Sequence, residues 1–535
     1  MSTAEITTSQ ENEPFSLFKI IATVFSIIFI RIFIENFSSP SGTGYFFSWQ
    51  GILLHASMYF FSVFLSLALL TRIFTKESFE NILTLLTKIF TFILIAPLFD
   101  LALDGSIASS MRYVPVNFES IIPFFFKMMN PFSSQGITVG MHISAYLIFI
   151  SLAIFVYKKT NSLLKSFFFL FASYFLIFLY AIIPGIITMF TADNMPVALT
   201  YALILKQSWI TTTIENLFSF QDTLWQGDYM HDILMARIFW ILIFAQTTII
   251  FFIANPKLRT PLRKNLRIER IVFWFIVAAI GIFTSQKKSG SIDIQNAANI
   301  ITLIIFFILI ALNAWLAIFI NDAEDVKIDA ISNKNRPLAK KEISAKDWNE
   351  IQLMLFIFIV FGLATINKAT ALLLILAQSA YYIYSARPLR LKKHFIFSSI
   401  LVGSAAVFIS MAGFFLVSPD QHITAFPAKL IFLIGISFAI ISNKKDIKDY
   451  EGDKKDGMRT MPVVFGQKKA NYIIATLYGL IVILMPIILN IYSMLPIAAC
   501  IALFAFFLFT KKTYEEKYIF LLFFIYMLTL FLVSF

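Results

Sequence analysis

The chain has 535 residues, of which 59% are hydrophobic and only 14% charged, and its mean hydropathy is +0.81. No soluble fold hides that much apolar surface, so the bilayer must be the solvent. The formal charge of +12 falls in short Lys/Arg loops between apolar runs, which marks cytoplasmic loops and excludes a nucleic-acid surface.

Apolar runs of about 18 to 25 residues match the thickness of a hydrocarbon core. Backbone groups in lipid must bond internally, so the runs are predicted as helices. They are continuous rather than alternating, which excludes a membrane β-barrel. The first fifteen residues are polar and acidic, without a basic n-region, and the run from Phe15 is too long for a cleaved signal peptide. It is read as a retained helix. The first half offers about six spans, near 16–35, 52–71, 81–100, 138–157, 164–190 and 233–254. Stretches near 117–130 and 198–220 fit re-entrant or interfacial helices. Arg31 and Glu35 stand four apart and are expected to pair. His55, Asp100 and Asp104 fall near one membrane face; they are either boundary charges or a second polar site.

A basic connector, PKLRTPLRKNLRIER, runs from Pro256 to Arg270 with two prolines and six Lys or Arg. It is predicted to be a cytoplasmic linker between residues 1–255 and a second domain, 271–535. Nine spans follow, near 271–286, 296–320, 351–366, 369–386, 395–417, 426–442, 470–491, 493–510 and 517–535. The connector and the loops 321–350, 387–394 and 443–469 are basic and share one side. With the loops holding Arg72, Lys76, Lys158, Lys159 and Lys165, they are predicted to be cytoplasmic. The loops near 101–137 and 191–232, poor in Lys and Arg, are expected outside. Cys500 is the sole cysteine, so the chain has no internal disulfide and no thiolate cluster. It is read as a packing residue.

Two segments carry chemistry. INDAEDVKIDAISNKNRPL holds Asp322, Asp325 and Asp329, and SNKKDIKDYEGDKKDGMRTMPVVFG holds Asp446, Asp449 and Asp453. Both triples are spaced i, i+3, i+7, which covers roughly a 60° arc of a helix. Each helix is therefore predicted to present three carboxylates on one face, at the same side of the membrane. Six clustered carboxylates repel one another and need cations. Hard oxygen ligands suit magnesium, which takes a few carboxylates, some waters and substrate phosphate oxygens. A diphosphate is the natural third party, with Arg336, Arg390, Lys392, Lys445, Lys448 and Arg459 near enough in sequence to contact it. Asn313 is expected to face the pocket or to bond between helices. Tyr381, Tyr382 and Tyr384 are read as pocket residues or interfacial anchors.

These segments resemble the UbiA superfamily of intramembrane prenyltransferases. NDAEDVKID with NRPL at 335–338 is similar to that family's NDxxDxxxD with its downstream RP. DIKDYEGD with GMRTMPVVFG is similar to its DxxDxxxD and TLPVVFG tail, with Met461 in place of the usual Leu. YSARPLRLKK at 384–393 resembles its Tyr-Pro-Leu-Arg-Leu-Lys stretch. The resemblance covers roughly 265–535 and implies an all-α membrane protein, a nine-helix bundle preceded here by about six helices of no recognised family. It further implies magnesium-dependent transfer of a prenyl group from a polyprenyl diphosphate to a lipophilic acceptor. Asp322, Asp325, Asp446 and Asp449 would be catalytic, the six aspartates metal-binding, and Asn321, Arg336, Tyr384, Arg390, Lys392, Lys445 and Arg459 substrate-binding. Two other activities stand beside it: phosphoribosyl transfer to a polyprenyl phosphate, and non-enzymatic carriage of a diphosphate lipid.

Overall fold

A computed structural model describes residues 17–37, 54–104, 113, 117–130, 132, 137–189, 223–290, 296–510 and 516–534. The amino-terminal fifteen residues, the stretch 198–220 and most of the 191–232 loop lie outside the described residues. The chain divides into two compact units, one from Met1–Ile204 with Gly227–Ala254 and one from Leu205–Gln226 with Asn255–Phe535. Among the described residues, ten helices are long and apolar enough to cross a bilayer. The protein is a multi-pass integral membrane protein.

The first unit carries α1 (Leu17–Phe37), α2 (Ser57–Thr75), α3 (Phe79–Phe90), α4 (Ile95–Asp104), α5 (Ile121–Met128), α6 (Val139–Thr160), α7 (Leu163–Ala181), α8 (Ile183–Met189) and α9 (Thr223–Ala254). Ser78, Thr138 and Ser162 cap α3, α6 and α7 by accepting from the backbone N–H three residues on, which satisfies donors no helix can pair internally. At eight residues, α5 is too short to span.

The second unit begins with α10 (Arg259–Asn265). Then come α11 (Ile268–Ser289), α12 (Ala297–Glu324), α13 (Val326–Ser332), α14 (Ala345–Leu363), α15 (Lys368–Ser385) and α16 (Phe395–Val417). They are followed by α17 (Ala428–Ser442), α18 (Asp446–Lys455), α19 (Met461–Phe465), α20 (Gln467–Ile488), α21 (Leu495–Thr510) and α22 (Glu516–Ser534). Nine of these, α11, α12, α14 to α17 and α20 to α22, coincide with the predicted spans to within a turn or so. Fewer pass the stricter measure of length and apolarity, for readable reasons. α14 opens on Lys346, Asp347 and Glu350, α15 closes on Gln378, Ser379 and three tyrosines, and α17 has only 15 residues.

α16 is apolar on every side, and such a helix belongs in the interior; it packs against α11, α15 and α17. The α11–α16 crossing is set by two glycines. A Cβ on Gly281 would lie 1.7 Å from the Ser410 carbonyl oxygen, and one on Gly413 2.2 Å from that of Ala278. The two backbones touch, as small residues allow where lipid supplies no hydrophobic driving force. Cys500, expected to pack, is exposed on α21.

The connector carries local structure of its own. Pro256–Leu258 forms a 3-10 turn and Arg259–Asn265 a short helix. Trp315 on α12 donates its indole N–H to the Leu266 carbonyl at 3.0 Å, and Lys264 pairs with Glu342. Asn313 neither faces the large cavity nor bonds between helices. Its amide donates to the Leu309 carbonyl of its own helix, and its oxygen abuts a small cavity shared with Gln378 and Tyr381.

Candidate active site

The first Asp triple does not ride one helix face. Asp322 sits in the last turn of α12, Asp325 at the break, with φ −98° and ψ 10°, and Asp329 on α13. The second triple lies on α18 alone, cut off from α17 by Asn443–Lys445. α13 and α18 pack on one another, which brings the triples together. Asn333 bridges them by donating to Asp329 at 3.1 Å and to Asp449 at 3.2 Å.

These helices border a cavity of about 920 Å3. Asp325, Asp329, Asp446, Asp449 and Asp453 line it, and so do Arg336, Lys392 and Lys445. Arg267 and Arg270, which the sequence reading assigned to the linker, line it too. Part of the wall is apolar and aromatic, with the ring centroids of Trp274, Phe273 and Phe438 within 5.7 Å of one another. Tyr381 and Tyr384 face the cavity, whereas Tyr382 is 53% exposed.

The carboxylates and cations are interleaved. Asp322, 1% exposed, accepts from Arg267 and Arg336, each at 2.5 Å, and is not among the residues lining the cavity. Arg336 reaches Asp329 at 2.9 Å. Asp325 accepts from Asn321 at 2.9 Å, Arg390 at 2.9 Å and Lys392 at 2.6 Å. Burial opposes its ionisation, but Lys392 and Arg390 overcome this and hold the carboxyl below its usual range. Asn321 accepts from Ser385 and Lys392. Lys445 donates to the Tyr384 hydroxyl; burial would lower its ammonium pKa, but Tyr384 and Asp446 outweigh it and the pKa rises. Arg390, buried, spans Asp325 and Asp456 and reaches the cavity only through them. Arg459 is exposed and joins His394 in a backbone bridge. It is not among the lining residues.

Not every carboxylate has a cation. Burial, and then the neighbouring Asp449, push Asp453 up to about 7. Burial pushes Asp329 up to about 6, with Arg336 pulling down and Asp322 and Asp325 adding to the rise. Burial leads both shifts, and neighbouring carboxylates add to it. Among the described residues, no three carboxylates or imidazoles converge on a point where they alone would chelate a metal. An all-oxygen donor set that is incomplete by itself suits magnesium, which keeps waters and shares its shell with phosphate. The residues present therefore fit that ion.

Residues 272–528 match the UbiA prenyltransferase family. This part of the chain belongs to that family. The UbiA segment is similar to the digeranylgeranylglyceryl phosphate synthase of Pyrococcus horikoshii, with 30% identity over 182 residues, 34% of this chain and 63% of the relative. The same synthase from Methanosphaera stadtmanae is 32% identical over 179 residues, 32% of this chain and 62% of the relative. The chain thus spans under two thirds of the length of either. Among solved structures, a UbiA homologue from Archaeoglobus fulgidus bound to GPP and Mg2+ aligns with 51% of this chain and 98% of its own, at 21% identity and a TM-score of 0.40. The residues before 272 fall outside the family match.

Sequence reasoning missed Arg267, Arg270 and Asn333. The first two carry a signal, a basic pair three apart just before an apolar run, but one that fits a cytoplasmic linker equally well. In the first unit, Arg31 and Glu35 pair at 2.6 Å. His55 and Asp100 do not share a site. Asp100 accepts from Thr138 and the Gly140 N–H, while His55 pairs with Asp232.

Proposed function

We propose that the chain transfers a prenyl group from a polyprenyl diphosphate to a lipophilic acceptor within the membrane, with magnesium as cofactor. One observation carries the reading: both acidic motifs and five basic side chains meet on one cavity that also has an apolar, aromatic wall. Asp325, Asp329, Asp446, Asp449 and Asp453 would hold magnesium, with Asp322 behind them orienting Arg267 and Arg336. Bound there, magnesium supplies positive charge against the departing diphosphate. Arg336, Lys392 and Lys445 take phosphate oxygens directly. The allylic C–O bond breaks and its electron pair leaves with the diphosphate. The acceptor's nucleophile closes the new bond to that carbon and loses its proton. Trp274, Phe273 and Phe438 keep water from the allylic cation and face it with aromatic π density.

The test is diphosphate release by the full chain in lipid nanodiscs, given magnesium and polyprenyl diphosphates of several lengths with a panel of acceptors. The names of the two synthases make a prenylated glyceryl phosphate the first acceptor to try. Release coupled to a prenylated product is expected. Binding without release, or consumption of a sugar diphosphate instead, would overturn the reading. We further assign the Asp-bearing loops to the cytoplasmic side. Cysteines placed at Lys334 and Lys287 in a Cys500→Ser background are expected to label from opposite faces; labelling from one face would refute the topology.

A further inference from the structure

Asp329 sits on α13 and Asp449 on α18, helices that pack on one another. Side chains tie the two acidic motifs in two places. Arg390 reaches in from a third segment and pairs with Asp325 and Asp456, each at 2.9 Å. Asn333 makes the second tie, directly from one motif to the other. It stands just past α13, with φ −135° and ψ 54°. Its backbone N–H still bonds the Asp329 carbonyl at 2.9 Å, which fixes its place on α13, while the departure from helical angles lets the side chain reach α18.

The Asn333 amide nitrogen lies 3.1 Å from the Asp329 carboxylate and 3.2 Å from that of Asp449. Ionised carboxylates only accept, so the nitrogen must face them, and its two N–H groups serve one carboxylate each. An amide brings no net charge. A lysine or arginine here would tie the helices too, but it would also neutralise the carboxylates it held, as Lys392 and Arg390 do for Asp325. Asn333 supplies hydrogen bonds instead, and the negative charge stays available to a cation. Among the described residues, no lysine or arginine pairs with Asp449. Asp329 and Asp449 both line the large cavity and Asn333 does not, so it acts through them.

From this geometry we infer that Asn333 is a positioning residue, an uncharged clamp that sets the spacing of Asp329 and Asp449, and with it of the two acidic motifs, before metal and diphosphate arrive. The role toward metal rests on the proposed reading that these carboxylates hold magnesium. The clamp itself is geometric and is measurable with no ligand present. Groups that orient metal ligands from behind are worth about 10- to 100-fold in metal affinity. Asn333→Leu keeps a side chain of similar size and removes both donors. Asn333→Asp keeps the shape and puts a third like charge beside two others, which drives them apart until a cation gathers all three.

The test uses the full chain in nanodiscs, in a Cys500→Ser background, with nitroxide labels on Lys327→Cys in α13 and Lys454→Cys in α18, both exposed positions. Without metal or donor, the distribution of distances between the labels is expected to broaden in Asn333→Leu and in Asn333→Asp. Adding magnesium and a non-cleavable geranyl thiolodiphosphate should narrow it again in Asn333→Asp and leave it broad in Asn333→Leu. Mn2+ titrated into the unlabelled proteins with the same analogue, and followed by its EPR signal, should bind at least tenfold more weakly to Asn333→Leu. Ligand-free distances unchanged in both variants would overturn the clamp, whatever the chain's activity. Broadening with less than a threefold loss of Mn2+ affinity would overturn the positioning role, as would an Asn333→Asp chain that magnesium and analogue fail to narrow. If the parent chain takes up no Mn2+, the transferase reading falls and the metal role of Asn333 falls with it.

Discussion

The two units treat buried charge in opposite ways. In the first, buried charges are matched one by one, Arg31 by Glu35 and Asp232 by the His55 ring, while Asp100 accepts from Thr138 and the Gly140 N–H. In the second, six aspartates share their cations unevenly, and two of them are pushed toward protonation. Closed pairs can be kept in a bilayer because little field leaks from them. Unbalanced carboxylates at a membrane boundary are tolerated where a mobile cation and its ligand complete them. The contrast separates a unit that can fold around its charges from one whose charges await a substrate.

The comparison can be broken at its strongest point first. Asp446→Ala is expected to lower diphosphate release by at least ~100-fold, ~2.7 kcal/mol of barrier, while the protein extracts as a folded monodisperse species. Replacing Arg31 and Glu35 together by leucine removes a closed pair and is expected to leave release within about threefold, a change of ~0.7 kcal/mol. If the double variant loses activity as Asp446→Ala does, the units are not separable in this sense.

Truncation sharpens the same point. Residues 1–255 are proposed to contribute nothing to bond cleavage. A fragment beginning at Asn255 keeps Arg267, Arg270 and the Trp315 anchor on Leu266. It should release diphosphate at a rate close to the full chain at equal folded concentration. One beginning at Ile271 loses both arginines, leaves Asp322 with Arg336 alone, and should fall at least ~10-fold. A folded, donor-binding Asn255 fragment without release would show that the first unit helps build the active site.

The smallest effect concerns the scaffold. Gly281→Ala inserts a methyl group into the Ser410 backbone. It should cost about 1–3 kcal/mol by overpacking, seen as a lower midpoint of thermal unfolding in detergent, with Gly479→Ala, whose Cβ would meet only Ala502 at 3.6 Å, as a control.

Much of the second unit was legible because apolar length in a membrane is nearly one-dimensional information: a run long enough to cross does so, and its ends fall where charge begins. Periodicity served less well at the site. The spacing of Asp322, Asp325 and Asp329 fits one helical face, yet α12 ends at Glu324, and three donors gather on Asp325 at the break. The lining aromatics were not legible at all. With 63 phenylalanines in the chain, Phe273 and Phe438 carry no mark that separates a cavity wall from a lipid contact. Arg267 failed for the opposite reason, since a basic connector is usually solvated and only tertiary packing turns this one inward. In the first unit, His55 was visible as an oddity, but its partner Asp232 lies 177 residues away, beyond any local pattern.

The interleaving of Arg267, Arg336, Arg390 and Lys392 with Asp322 and Asp325 has a thermodynamic consequence. On the proposed reading, loading the site is an exchange of partners: metal takes carboxylates from the arginines and lysine, and phosphate takes the cations so released. Either ligand alone would strand charges in a half-buried cavity, so each should raise the other's affinity by the same factor, as linkage requires. Titration calorimetry should find magnesium weak without donor and donor weak without magnesium. A site built in this way discriminates by co-occupancy: free diphosphate alone, or magnesium alone, can replace only one partner of each ion pair.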